Sequence, residues 1–180
     1  LLKLYRFDQI WLMPLFQHPF NKNLSSPNLR FAMTKFLANG KRIKVSDYEI
    51  KKKNISYTID TVRFLAKKYP KDKFYWIIGT DQVNDFTKWE EWQEIVNKFK
   101  LIVVPRSGFA KAQKELEKIR QQAAVPENII LIDRKTFPPI YISSTLIRQR
   151  IRGGISIAKM VPKKVEKYII EHKLYLNQEA

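Results

Sequence analysis

The chain has 180 residues, enough for one domain or a small domain with an elaboration and too few for two large ones. It is 44% hydrophobic and 13% aromatic, so it can bury a core, and its lack of cysteine excludes a disulfide scaffold, a zinc ribbon, an iron–sulfur site and a thiol nucleophile. Thirty-four Lys and Arg against seventeen Asp and Glu leave a net charge of +17, which favours anionic partners: nucleic acid, a membrane surface or phosphorylated small molecules.

In chain order, short apolar runs alternate with amphipathic stretches. Residues 9–13 (QIWLM) read as a buried strand and residues 27–38 as a helix, started by Ser25-Ser26-Pro27 and ended near Gly40. A strand over residues 42–45 follows, then a loop holding Lys51-Lys52-Lys53, which reads as a solvated charge run. Residues 58–69 read as a helix stopped by Pro70, and residues 74–78 (FYWII) as a strand. A helix over residues 89–99, a strand over 101–104, a helix over 111–122 and a strand over 129–132 come next. Gly153-Gly154 separates a helix beginning near Ser144 from a last helix over residues 162–172, with Pro162 in its first turn. This alternation predicts an α/β fold with a mostly parallel sheet and helices on both faces. A single domain over residues 1–180 is expected, with residues 142–175 as a carboxyl-terminal helical part.

In open α/β sheets ligands bind beyond the carboxyl ends of the strands, so the post-strand segments are the candidate sites. In Ile142-Ser143-Ser144-Thr145-Leu146-Ile147-Arg148, three hydroxyls open a helical pattern. Free N–H groups and the positive end of the helix dipole bind phosphate, and Ser144, Thr145 and Arg148 share one face. A polyphosphate clamp and an ordinary capped helix with a basic face both fit. In Trp76-Ile77-Ile78-Gly79-Thr80-Asp81, Gly79 lets a ligand approach the backbone, and Asp81 suits ribose hydroxyls or the cap of the next helix. In Lys88-Trp89-Glu90-Glu91-Trp92, Trp89 at a helix start could stack on an aromatic ring, whereas Trp92 reads as core. The segment Asn54-Ile55-Ser56-Tyr57-Thr58-Ile59-Asp60-Thr61 caps a helix, and its hydroxyls and N–H groups could hold a second anion. The loop from Pro14 carries His18 and Lys22, the latter a candidate phosphate contact.

Together, the order Pro14…His18-Pro19…Lys22, SYTIDT (56–61), Ile78-Gly79-Thr80-Asp81, Lys88-Trp89 and ISSTLIR (142–148) resembles the nicotinate-nucleotide adenylyltransferases over nearly the whole chain. The resemblance implies a Rossmann-like nucleotidyltransferase fold. It implies transfer of AMP from ATP, with Mg²⁺, to nicotinate mononucleotide, releasing pyrophosphate and giving deamido-NAD. It assigns Ser143, Ser144, Thr145 and Arg148 to the ATP phosphates, and Gly79 and Asp81 to the adenosine. It assigns Thr58, with Tyr57 beside it, Trp89 and Lys88 to the nicotinate nucleotide. Lys22 falls at the phosphates, as a catalytic group beside Arg148, and Arg106 nearby.

The family opens on a glycine-rich strand–turn with His-x-Gly-His, and no such motif stands in these 180 residues, whose two histidines are His18 and His172. The expectation is an amino-terminal truncation that removes the first strand, and a chain with little or no turnover as given. The competing expectations are a sister adenylyltransferase for nicotinamide mononucleotide or phosphopantetheine, a nucleotide-binding relative without catalysis, and a basic nucleic-acid module supported only by the charge. No apolar run approaches the roughly 20 residues that span a bilayer, and no signal-peptide pattern opens the chain. A cytoplasmic protein without a membrane partner is expected; family members are often dimers or larger, so a homo-oligomer is one option and the oligomeric state stays open.

Overall fold

The computed structural model describes Leu2 and residues 4–20, 24–38 and 40–176. These group into two compact units: Leu1–Ser56 with Ile142–Ala180, and Tyr57–Tyr141. Among the described residues no helix is long and apolar enough to cross a membrane.

The first unit holds a parallel pair, β1 (Ile10–Leu12) with β2 (Ile43–Val45), in the register Ile10↔Ile43 to Leu12↔Val45. They are linked through α1 (Pro27–Lys35), whose start is fixed by Pro27 and by the Ser26 hydroxyl, which accepts the Leu29 N–H at 3.4 Å. The expected extension of this helix to residue 38 is a turn instead. Its Phe36 and Leu37 are exposed, with Phe36 meeting the Tyr168 ring edge-on at 5.7 Å, so little burial supports another helical turn.

A short helix, α2 (Tyr48–Lys52), occupies the stretch read as a solvated loop. It is too brief to show a periodicity. Asp47 and Lys51 pair at 2.8 Å across one turn, and Lys53 ends it with φ 53°. The carboxyl part supplies α7 (Ser144–Arg152) and α8 (Lys163–Glu171), separated by Gly153 and Gly154 as expected. Ile147 and Ile151 of α7 pack with Met33 of α1 around buried Ile157, Val165 and Ile169.

The second unit is built on a three-stranded parallel sheet in the order β3 (Tyr75–Gly79), β4 (Lys100–Val104), β5 (Ile129–Leu131). Residues 101–104 of the middle strand are all buried, as an unbroken LIVV run requires when both faces are covered. The cover comes from α3 (Thr58–Lys68), α4 (Val83–Phe86), α5 (Trp92–Lys98) and α6 (Phe109–Gln122). Their inner faces follow helical spacing: Ile59, Val62 and Leu65 on α3, and Ala112, Leu116 and Ile119 on α6.

The helix expected from Trp89 begins instead at Trp92, because Glu91 takes φ 47° and breaks the helical run just before it. Phe86, fully buried, is the pivot of this corner. Its ring meets Trp89 at 5.2 Å and Trp92 at 6.1 Å.

Candidate active site

The candidate residues fall in two groups, one within each unit. In the second unit, β3 and β4 end side by side, with Gly79 opposite Val104. Thr80, wholly buried, stitches the two exits together. Its hydroxyl donates to the Ser107 carbonyl at 3.0 Å and accepts the Arg106 backbone N–H at 2.8 Å. This places the Arg106 guanidinium 3.6 Å from the Asp81 carboxylate. Gly79 sits under both. A Cβ there would lie 2.2 Å from the Asp81 Oδ1 and 2.5 Å from the Arg106 Cδ. Gly79, Asp81 and Arg106 are therefore one cluster. Asp81 does not cap α4, for that helix has no side-chain cap, and it turns to Arg106 instead.

Trp89 lies in the turn between α4 and α5, half-buried, with its ring packed on Phe86. Tyr57 precedes α3 and packs against the same core, and Thr58 is the first residue of that helix. No side chain caps α3 at Tyr57. The side-chain cap expected from the 54–61 segment is thus absent, and the Ser56 hydroxyl instead accepts the Phe16 N–H at 2.9 Å. Lys88 pairs with Asp85 at 2.7 Å.

Arg63 of α3 holds the Trp89 turn by a double fork onto Glu91 and Glu94. Its Nη1 is 2.9 Å from Glu91 and its Nε 2.9 Å from Glu94. Those hydrogen bonds from Arg63, followed by that of Lys98, hold the Glu94 carboxyl down at about 2, and the same pairs raise Arg63.

In the first unit, α7 begins at Ser144 with a side-chain cap, a start that both readings of this segment share. Ser143 is its N-cap, its hydroxyl accepting the Leu146 N–H at 3.1 Å. Ser144 and Thr145 are exposed in the first turn, and Arg148 follows on the same face, half-buried. Among the described residues no ion pair takes up the Arg148 guanidinium. Ser143 serves the helix by capping the Leu146 N–H, a bond that does not use the N–H groups of Ser144 and Thr145.

The loop after β1 is tied down at several points. Arg30 of α1 donates Nη2 to the Leu15 carbonyl at 2.5 Å and to the Phe16 carbonyl at 2.8 Å, and Nη1 to the Ser25 carbonyl. His18 Nδ1 accepts the Phe20 N–H at 3.0 Å. Lys22 lies outside the described residues.

Residues 3–150 match the cytidylyltransferase-like family. A probable nicotinate-nucleotide adenylyltransferase of Synechococcus sp. (strain JA-3-3Ab) is 36% identical over 177 residues, 96% of this chain and 83% of that protein. A relative of the same name from Caldicellulosiruptor saccharolyticus is 38% identical over 157 residues, 86% of this chain and 76% of that protein. The chain belongs to the nicotinate-nucleotide adenylyltransferase family.

The fold agrees. The nicotinic acid mononucleotide adenylyltransferase of Plasmodium falciparum, solved with NaAD, superposes with a TM-score of 0.73 at 21% identity, covering 96% of this chain and 85% of that one. The same enzyme solved with APC gives 0.70. The Rossmann-like nucleotidyltransferase architecture read from the sequence is thus the fold of this family member. Thr80, Arg30 and Arg63 escaped the sequence reading. Thr80 carried one signal, a hydroxyl directly after an apolar strand and a glycine. Arg30 stands among Leu29, Phe31 and Met33 of an amphipathic helix, a charge in an apolar stretch.

Proposed function

We propose that this family member transfers AMP from ATP to nicotinate mononucleotide, giving deamido-NAD and pyrophosphate. The observation that carries the reading is the start of α7, where Ser144, Thr145 and Arg148 share one face of a helix whose cap does not use the N–H groups of Ser144 and Thr145. A charge-rich phosphoryl group needs fixed donors, and these are fixed by a capped helix.

A phosphate oxygen of the mononucleotide attacks the α-phosphorus of ATP. The new O–P bond forms as the bond from the α-phosphorus to the bridging oxygen breaks, and pyrophosphate leaves with that electron pair. No covalent enzyme intermediate is needed, so the protein's work is alignment and charge neutralisation. Ser143, through its cap, and Ser144, Thr145 and Arg148 receive the ATP phosphates. Gly79 admits the adenosine close to the backbone, and Asp81 accepts hydrogen bonds from ribose hydroxyls. Thr58, Tyr57 and Trp89 take the nicotinate nucleotide, with the Trp89 ring held on Phe86 and turned to the pyridine. Arg106 and Lys88 supply positive charge nearby, and Lys22 is assigned to the phosphates.

Among the described residues no group of three or more His, Cys, Asp or Glu could hold a metal ion. Magnesium would enter with ATP, held by the phosphate oxygens, and would offset their charge. We place the reaction in the cytoplasm.

The test is ATP-dependent pyrophosphate release with a panel of acceptors. In a protein that carries the family's His-x-Gly-His, release that requires nicotinate mononucleotide is expected, with nicotinamide mononucleotide and phosphopantetheine weaker, while these 180 residues alone, which do not contain the motif, are expected to show little or none. Equal release with either alternative would refute the acceptor assignment. Trp89→Ala should weaken binding of the mononucleotide far more than binding of ATP, and an equal loss would refute the stacking role.

A further inference from the structure

We infer that Arg30 is a positioning residue for the loop that leaves β1, fixing the backbone that presents His18. Three carbonyls from two separate stretches, Leu15 and Phe16 on one side and Ser25 on the other, converge on one guanidinium. The loop is gripped from the other side as well. The Phe16 N–H donates to the buried Ser56 hydroxyl, and the Ser56 N–H donates to the Gln17 carbonyl at 3.0 Å. Both backbone groups of Phe16 are therefore assigned, and the next carbonyl too.

A connector on a surface needs none of this, because water satisfies its backbone. A guanidinium is also a costly choice for a helix whose neighbours are apolar. Burial lowers its pKa, with Tyr175 acting the other way. What it supplies is geometry: a planar group with five donors in fixed directions dictates where its acceptors lie, which a flexible ammonium does not. Arg30 and His18 line one groove of about 410 Å³ with Met13, Pro14, Met33 and Val165, so the fork works in largely apolar surroundings where its bonds are strong. The loop stands at the carboxyl end of a parallel strand, where ligands bind in such sheets.

The consequence for the nucleotide rests on the proposed function. The test compares the full chain with its Arg30→Met and Arg30→Lys variants. Amide hydrogen exchange is followed at Phe16, Gln17 and His18, with α8 as the internal control. Affinity is measured for ATP and, separately, for adenosine. In Arg30→Met the loop amides should exchange at least about tenfold faster while α8 is unchanged. Affinity for ATP should fall about tenfold with that for adenosine preserved, and Arg30→Lys should recover part of both effects. A uniform structural defect would move α8 and adenosine binding together with the rest. Unchanged loop exchange in Arg30→Met, or a loosened loop with undiminished ATP affinity, would overturn the inference. Absence of ATP binding by the unsubstituted chain would count against the proposed function alone, and loop exchange would still decide Arg30. Should Arg30→Met not fold, Ser56→Ala removes the acceptor of the Phe16 N–H and should shift the same amides in the same direction.

Discussion

Gly79→Ala separates a ligand-approach role from a packing role. The backbone at Gly79 has φ −87° and ψ 158°, an extended conformation that alanine adopts freely, so no backbone strain is expected. The added methyl meets side chains only. It would lie 2.2 Å from the Asp81 Oδ1, about 1.2 Å inside ordinary contact at 3.4 Å, and 2.5 Å from the Arg106 Cδ. Asp81 must swing away and Arg106 must shift. Both are partly exposed, at 37% and 31%, so they can move into solvent, and the cost is the ion pair between them, about 0–1 kcal/mol. For a chain of this length that is a fall in Tm of at most about 2–4 °C. Affinity for ATP should fall more than about tenfold, because the methyl fills the space through which adenosine would reach the backbone. Thermal unfolding by circular dichroism and calorimetric titration with ATP give the two numbers. A fall in Tm beyond about 8 °C would show Gly79 to be a packing residue. Undiminished ATP affinity would refute the approach role.

Three further outcomes follow from the same geometry. Glu94 titrates lower in the folded chain than in the unfolded one, so its pairing stabilises the fold above the ordinary carboxylate range and is lost as pH falls from about 5 toward about 2. Arg63→Ala should remove most of that part of the acid dependence, leaving the share due to Lys98, and move the Glu94 carboxyl toward its usual range in an NMR titration, and an unmoved Glu94 would refute the fork. Thr80→Val keeps the shape but leaves the buried Arg106 N–H without its acceptor, and should cost about 1–3 kcal/mol in urea unfolding, while Thr80→Ser stays close to the parent. Ser143→Ala removes the α7 cap and should cost about 1 kcal/mol by the same measurement, and a neutral result would show that the Leu146 N–H finds water instead.

The strands were legible because short apolar runs rich in aliphatic and aromatic residues, alternating with amphipathic stretches, have few other uses in such a chain. All five lie within about two residues of where their apolar residues place them. The α7 start was legible too, since hydroxyl, hydroxyl and arginine at helical spacing admit few geometries. What escaped depends on tertiary partners. The five residues of α2 have no period to read. The delayed start of α5 rests on one backbone angle at Glu91, an otherwise good helix former, held by an arginine from another helix. Asp81 looked like a cap because caps are local, and its partner Arg106 is 25 positions away in the chain. The family assignment needed none of this, because its motifs stand at the strand exits, where the fold leaves least freedom.

The stitch made by Thr80 also has a thermodynamic meaning. Two segments that exit adjacent strands would ordinarily each have to be ordered when a ligand arrives, at about 0.5–1.5 kcal/mol for every side chain immobilised. With one buried hydroxyl bonded to both Arg106 and Ser107, the second segment is already committed to the first. The entropy of organising this end of the sheet is settled during folding, and a nucleotide arriving there spends less of its contact energy on ordering the protein.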